Sequence, residues 1–223
     1  MRFSPIPLAA AALSLASVTV SAAVVAQDAE GRYQTLLAAA KANAPNVDWG
    51  ELRLAYADRP GFQVLSQSAA RRQMFEAANA SNCKDALPSA RAVMAEDYVD
   101  ADAHLVAAFC EDAAGDAVAS KLDRDIGVGL IRSIETGDGL SAATAFTPIN
   151  VDEEYALMRA LGQKVQSQDL VRQGGHAYDV LSTLDQKGQR GSYWFAIDRV
   201  LAAESAALTP GAVSEGGPPS RTP

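Results

Sequence analysis

The stretch Lys164-Val-Gln-Ser-Gln-Asp-Leu-Val171, followed by His176-Ala-Tyr-Asp-Val-Leu-Ser-Thr-Leu184 and Ser192-Tyr-Trp-Phe-Ala-Ile197, decides the fold class. Its apolar residues recur with a period of two, which belongs to extended chain rather than to helix. Gly174-Gly175 and the segment Lys187 to Gly191 divide it into three strands, and connections that short make an antiparallel meander. Tyr178, Val180 and Leu184 then share one face, as do Tyr193, Phe195 and Ile197. Three strands are too few to be stable alone, so one face of the sheet has to pack on helices. Working backwards, Thr136-Gly-Asp-Gly139 is a turn cluster, Ala145 to Ile149 reads as a short strand, and Asn150 with Glu153 is a capping-box pair ahead of a helix from Asp152 to Leu161. Working forwards, residues 199–208 form a closing helix, and the Pro-, Gly- and Ser-rich residues 209–223 are expected to be a disordered tail.

Upstream the period is that of helices. Tyr33, Leu36, Leu37 and Ala40 stand three and four residues apart within a helix over 30–43. Asp48 and Glu51 form a capping box before Leu52, Leu54 and Tyr56, Pro60 closes that element, and a loop passes through Gly61 and Ser66. Further helices are expected near 67–80, 83–96, 101–114 and 116–135, with turns short enough to impose antiparallel hairpins. A shift of 34 residues aligns Phe75 with Phe109, Ser81 with Gly115, Asn82 with Asp116 and Ala86 with Ser120, and that is the length of a tetratricopeptide unit, which the pair resembles. The aromatic and glycine positions of that repeat's first helix are not filled, Pro88 falls inside a helix, and two units are fewer than the usual stack, so two α-hairpins of matching length stand as the plainer reading. The fold class is α+β: antiparallel, tetratricopeptide-like α-hairpins followed by a small β-meander packed on helices. It is expected as one domain over 27–208, helical in 28–136 and strand-rich in 143–198.

The N-terminus supplies the compartment. Arg2 begins a segment whose residues Leu8 to Val25 carry no charge, and small residues up to Ala26, just before Gln27, suit a signal peptidase; cuts after Ala22 or Ala23 fit nearly as well. The chain is thus expected to be periplasmic or secreted, a retained N-terminal anchor being the alternative. With 19 Lys plus Arg against 27 Asp plus Glu the chain is acidic, which argues against nucleic acid and anionic lipid as partners. No second apolar run is long enough to span a membrane. Cys83 and Cys110, in an oxidising space, are expected to form a disulfide, since two cysteines and two distant histidines lack the ligand spacing of a zinc site. In a hairpin turning at Tyr98 to Asp100 the two lie about one helical turn out of register, and the bridge should be worth about 3 kcal/mol.

Tyr98-Val-Asp-Ala-Asp-Ala-His104, Ser133-Ile-Glu-Thr-Gly-Asp-Gly139 with Thr144-Ala-Phe146, Val151-Asp-Glu-Glu-Tyr-Ala-Leu-Met-Arg-Ala-Leu-Gly162 and Gly175-His-Ala-Tyr-Asp-Val-Leu181 resemble, in order, the signature stretches of the domain-of-unknown-function family 4919. The resemblance implies an exported or envelope-associated bacterial protein with a helical front half and a strand-rich end. It implies no activity and no catalytic residues.

Residues with chemical potential are few. His176 and Tyr178 share a strand face that Asp179 does not, so His176 reads as a turn-proximal residue bonding backbone; His104, in the first turn of a helix, is placed to bond a neighbouring turn. Asp152, Glu153 and Glu154 fill a helix N-terminus, where capping and the helix dipole account for them. Facing carboxylates of a glycosidase, a calcium loop around Asp138 and a Gly-x-Ser-x-Gly elbow at Ser133, Ser141 or Ser182 have no support, and no cofactor or metal is implied. The expected role is that of a noncatalytic module presenting its hairpins to an envelope protein or peptide, with Tyr98, Phe75 and Phe109 as candidates for an exposed stripe, although core packing suits both phenylalanines. The alternative is a hydrolase at the sheet-helix junction built on His176, Tyr178 and a carboxylate such as Glu154. A purely structural or accessory role, such as inhibition of another exported enzyme, stays open beside them.

Overall fold

The structure, a computed structural model, describes residues 22–62 and 68–208. Most of the expected export signal, Ser66 and the expected tail from Thr209 lie outside the described residues. Among the described residues are eight α-helices and one sheet: α1 (Ala22–Lys41), α2 (Trp49–Ala57), α3 (Ala69–Asn79), α4 (Cys83–Glu96), α5 (Ala101–Ala113), α6 (Ala117–Ile134), α7 (Val151–Ala160), β1 (Lys164–Gln173), β2 (His176–Leu184), β3 (Arg190–Ala196) and α8 (Asp198–Leu208). α1 begins earlier than expected and runs unbroken through Ala26. None of these helices is long and apolar enough to cross a membrane.

Local side-chain chemistry sets the helix starts. Asp48, Asp100, Asp116 and Asn150 each accept a hydrogen bond from the backbone N–H three residues on, at 2.9–3.0 Å. These caps satisfy N–H groups that the first turn leaves without partners. The capping boxes are only half closed, because the glutamates reach outward. Glu51 binds Arg32 of α1, and Glu153 accepts from the N–H of Ile149 at 2.8 Å while pairing with Arg53.

Hairpins α3–α4 and α5–α6 keep the 34-residue correspondence in their backbone. Ser81 and Gly115 both take left-handed conformations at the turns, with φ of 54° and 81°. Asn82 and Asp116 both stand at the N-cap of the second helix, and Ala86 and Ser120 are both buried small residues in it. Phe75 and Phe109 do not correspond in burial, since Phe109 is 59% exposed. α4 continues through Pro88, whose missing N–H leaves the Lys84 carbonyl without its helical donor.

The main apolar core runs from Leu52 and Ala55 on α2, through Ile126, Leu130 and Ile134 on α6 and Leu157 and Met158 on α7, to Leu181 and Phe195 on the sheet. Gly129 lets Trp49 lie directly against α6: a Cβ there would sit 2.4 Å from the indole nitrogen. A second cluster of Met74, Ala90, Val93, Ala103 and Ala107 joins α3, α4 and α5.

The sheet is antiparallel in the order β1-β2-β3. Gly174 and Gly175, with φ of 62° and 87°, make the two-residue turn between β1 and β2. Leu181 pairs with Tyr193 and Asp179 with Phe195, while Val180 pairs with Trp194 and Tyr178 with Ala196. The face turned to the helices therefore carries Tyr193, Phe195 and Ile197 together with Ala177, Asp179, Leu181 and Thr183. Tyr178, Val180 and Leu184 lie on the other face, where Tyr178 meets Trp194 edge to face at 5.6 Å. The short strand expected over Ala145 to Ile149 is reduced to one parallel bridge, Phe146 to Phe195, preceded by a 3-10 turn at Ala142–Thr144. Pro148 explains why the ladder stops, for it has no N–H to extend the pairing.

Candidate functional site

An open concavity with a defined chemistry lies between α4 and α5. Lys84, Leu87, Pro88 and Arg91 recur at i, i+3, i+4 and i+7, so they form one stripe of α4, basic at both ends and apolar between. The opposite wall is the end of α5, with Ala113 and Ala114, and the Cys83–Cys110 disulfide joins the two walls. The cysteine Cα atoms are 5.1 Å apart, which closes the α4–α5 hairpin as expected for antiparallel helices. The groove has a volume of about 530 Å³, and its lining carries no carboxylate although the chain as a whole has a net charge of −8.

Behind Arg91 a polar chain runs into the helices. Arg91 Nη2 donates to Glu111 Oε1 at 3.2 Å; Arg91 is exposed and Glu111 is buried. The other Glu111 oxygen is enclosed and meets no donor. Burial raises the Glu111 pKa above the usual carboxylate range, Arg91 lowers it, and the neighbouring Asp123 carboxyl on α6 raises it again. Asp123 Oδ1 is in turn 2.6 Å from Nδ1 of His104, whose Nε2 donates to the Tyr98 carbonyl at 2.9 Å. His104 is only 1% exposed and meets the turn ahead of its own helix, as its first-turn position implies.

The sequence candidates are dispersed. His176 is exposed at the start of β2, and its Nδ1 lies 2.6 Å from Asp198 Oδ2 of α8. Its partner is thus a carboxylate and not the expected backbone group; the other Asp198 oxygen takes the backbone N–H of Ala177 at 2.9 Å. The His176 contact holds the Asp198 carboxyl below its ordinary pKa. Tyr178 belongs to the outer face of the sheet. Glu154 is beneath the inner face, fully enclosed, with neither carboxyl oxygen partnered. The structure does not bring His176, Tyr178 and Glu154 together.

The acids opening α7 need more than capping to explain them. Asp152 pairs with Arg71 at 3.1 Å. Glu153 is gripped by Arg53, which also donates to the Thr147 carbonyl at 2.9 Å and to Ser133 Oγ at 3.1 Å. Glu154 receives nothing; burial first, then Asp179 and Glu153, push its pKa up to about 9, so at neutral pH it is a neutral acid. Asp179 is itself raised by burial and accepts from Gln168 at 2.6 Å. Of the aromatic candidates, Phe75 is half-buried between the guanidinium groups of Arg71 and Arg159, and Tyr98 meets His104 edge to face, while Phe109 alone is exposed, contrary to the core packing expected of it.

The basic stripe of α4 was present in the sequence as Lys84, Leu87, Pro88 and Arg91, but its significance depends on which wall faces it, and sequence spacing on one helix does not state that. No curated protein and no solved structure matches the chain. Residues 20–206 match the family described as Domain of unknown function (DUF4919), in keeping with the helical front half, the strand-rich end and the order of the stretches that suggested it; the chain belongs to that family.

Proposed function

We propose that this protein is a noncatalytic binding module of the cell envelope, periplasmic or secreted, which receives a segment of an envelope protein or peptide in the α4–α5 groove. The observation that carries the reading is the groove itself: an open apolar channel, braced by a disulfide and bordered by two cations, in an otherwise acidic chain. A disulfide suits an oxidising compartment, and the leader-like N-terminus points to the same address. Among the described residues His176 pairs with Asp198, while Glu154 is enclosed beneath the other face of the sheet without a partner, an arrangement that favours binding over hydrolysis by these residues.

The test is affinity capture from envelope extract, followed by mass spectrometry, with the wild-type protein and two variants. Leu87→Glu places an acid in the middle of the groove and should abolish capture of the partner. His176→Ala should capture it as wild type does. A partner retained by Leu87→Glu and lost by His176→Ala would move the site to the sheet-helix junction and overturn the reading.

A further inference from the structure

We infer that the α4–α5 groove selects a segment bearing two carboxylates separated by apolar side chains, and that taking it up transfers Arg91 from Glu111 to the ligand with uptake of one proton. This rests on the groove as the binding surface and adds the ligand's chemistry and its coupling to protons. The ends of the stripe, Lys84 and Arg91, are seven residues apart on α4, about 10 Å along the helix axis. A peptide in the polyproline II conformation covers that distance in about three residues and brings residues i and i+3 back to the same side. Leu87 and Pro88 lie between the cations and face Ala113, so apolar side chains between two acids meet apolar surface. Charge complementarity excludes a basic segment, because the lining offers no anion.

Proton coupling follows from what Arg91 leaves behind. Arg91 neutralises Glu111 from α4. From α6 the group facing Glu111 is Asp123, itself held by His104 of α5. A ligand carboxylate that draws Arg91 away leaves two carboxyl groups against each other in a buried place. With Asp123 already hydrogen-bonded to His104, that arrangement favours a proton on Glu111, which gives its enclosed oxygen a hydrogen to donate to Asp123. The proton comes from solvent and remains on Glu111 while the ligand is bound. The direction agrees with the titration of Glu111, raised by burial and by Asp123 and lowered only by Arg91.

The probe is the peptide acetyl-Gly-Glu-Leu-Leu-Glu-Gly-amide, with its Gln-Leu-Leu-Gln counterpart as control. Binding to the purified protein is measured by calorimetry between pH 5.5 and 8, in pairs of buffers that differ in ionisation heat. Wild type should bind the acidic peptide, take up close to one proton, and gain affinity by at most about tenfold per unit fall in pH across the titration window. Glu111→Gln should bind at pH 8 as tightly as wild type does at the acid end, without proton uptake. Arg91→Ala, with its folding checked by circular dichroism, should bind more weakly and show neither pH dependence nor uptake, because Glu111 is already without its guanidinium before the peptide binds. Binding by wild type that is flat with pH and takes up no proton overturns the coupling. Equal binding of the glutamine peptide overturns the dicarboxylate class. If neither peptide binds while partner capture still depends on Leu87, the ligand chemistry is wrong and the groove reading stands; if both fail, the groove reading falls with it.

Discussion

Replacing Glu154 with glutamine isolates the cost of a carboxyl group buried without a partner. In the folded protein its pKa is pushed up to about 9, against an ordinary value of 4.5. The folded chain keeps a proton that the unfolded chain releases at every pH between those values. Stability therefore falls as pH rises through the window, and below it the group contributes no dependence. Each pH unit is worth about 1.4 kcal/mol, so wild type loses about 4 kcal/mol through this group between pH 5 and pH 8. The amide has no proton to lose, but its N–H donors meet no acceptor, at a constant cost of about 1–3 kcal/mol. E154Q should then be the less stable protein at pH 5 and the more stable one at pH 8. Urea unfolding at half-unit steps from pH 5 to 8.5, with the denaturant slope held equal, reads the difference directly. Asp97, which burial and then Asp100 push up to about 8, falls with pH in the same sense, but it is common to both proteins and cancels. A wild-type-minus-variant difference that stays within about 1 kcal/mol across the range would refute the reasoning.

Reduction of Cys83–Cys110 opens a loop with a sequence separation of 27, and loop entropy puts the loss at about 3 kcal/mol. At roughly 2–4 °C per kcal/mol for a chain of this size, the melting temperature should fall by about 6–12 °C in reducing buffer; an unchanged curve with two titratable thiols would show that the bridge is absent. Arg53→Met leaves Glu153 enclosed without its guanidinium and should cost about 3–5 kcal/mol, whereas R53M/E153L should recover more than half of that. Chemical denaturation of the single and double variants decides it, and a double variant as unstable as the single would mean that the ion pair is not the source. Gly139→Ala forces a side chain onto a backbone with φ of +69° and places its Cβ 2.2 Å from the Phe146 ring. A loss of about 2–4 kcal/mol in thermal unfolding is expected, and one below about 1 kcal/mol would contradict the tight approach.

The parts of the fold that were legible are those written in neighbouring residues. Asp48 and Asn150 signal helix starts because a cap acts over three positions, and Gly174-Gly175 signals its turn because φ is a local property. The strand at Ala145 to Ile149 misled because its apolar run is genuine, yet its use depends on a distant β3 and ends at Pro148. Glu154 misled for a related reason: a first-turn acid has the same local pattern whether it faces water, as capping supposes, or the underside of a sheet formed later in the chain. His176 has its partner in α8, and Arg91 has Glu111 on the next helix. Neither pairing has a local signature.

α5 joins the small cluster to the main core, packing Ala101 and Leu105 toward α6, and beside that apolar contact runs an ionic seam. Arg71 of α3 binds Asp100 at 2.7 Å, Asp102 at 2.8 Å and Asp152 at 3.1 Å, and Arg159 of α7 also pairs with Asp102. All three acids stand at the cap or first turn of α5 or α7, so each is stabilised by a helix N-terminus as well as by an arginine. Ala and Val side chains alone permit neighbouring helices to slide, whereas one planar guanidinium gripping carboxylates from two helix ends satisfies its geometry in a single register. The seam and the packing of α5 on α6 together fix where the hairpin sits on the rest of the molecule. The groove depends on something else, the separation of α4 from α5, which the disulfide sets at its open end and Met74, Val93 and Ala107 set along its length. A charge removed from the seam should thus cost stability while leaving ligand affinity in place. Reduction of the disulfide acts on both, because it frees the wall that carries Lys84 from the wall that carries Ala113.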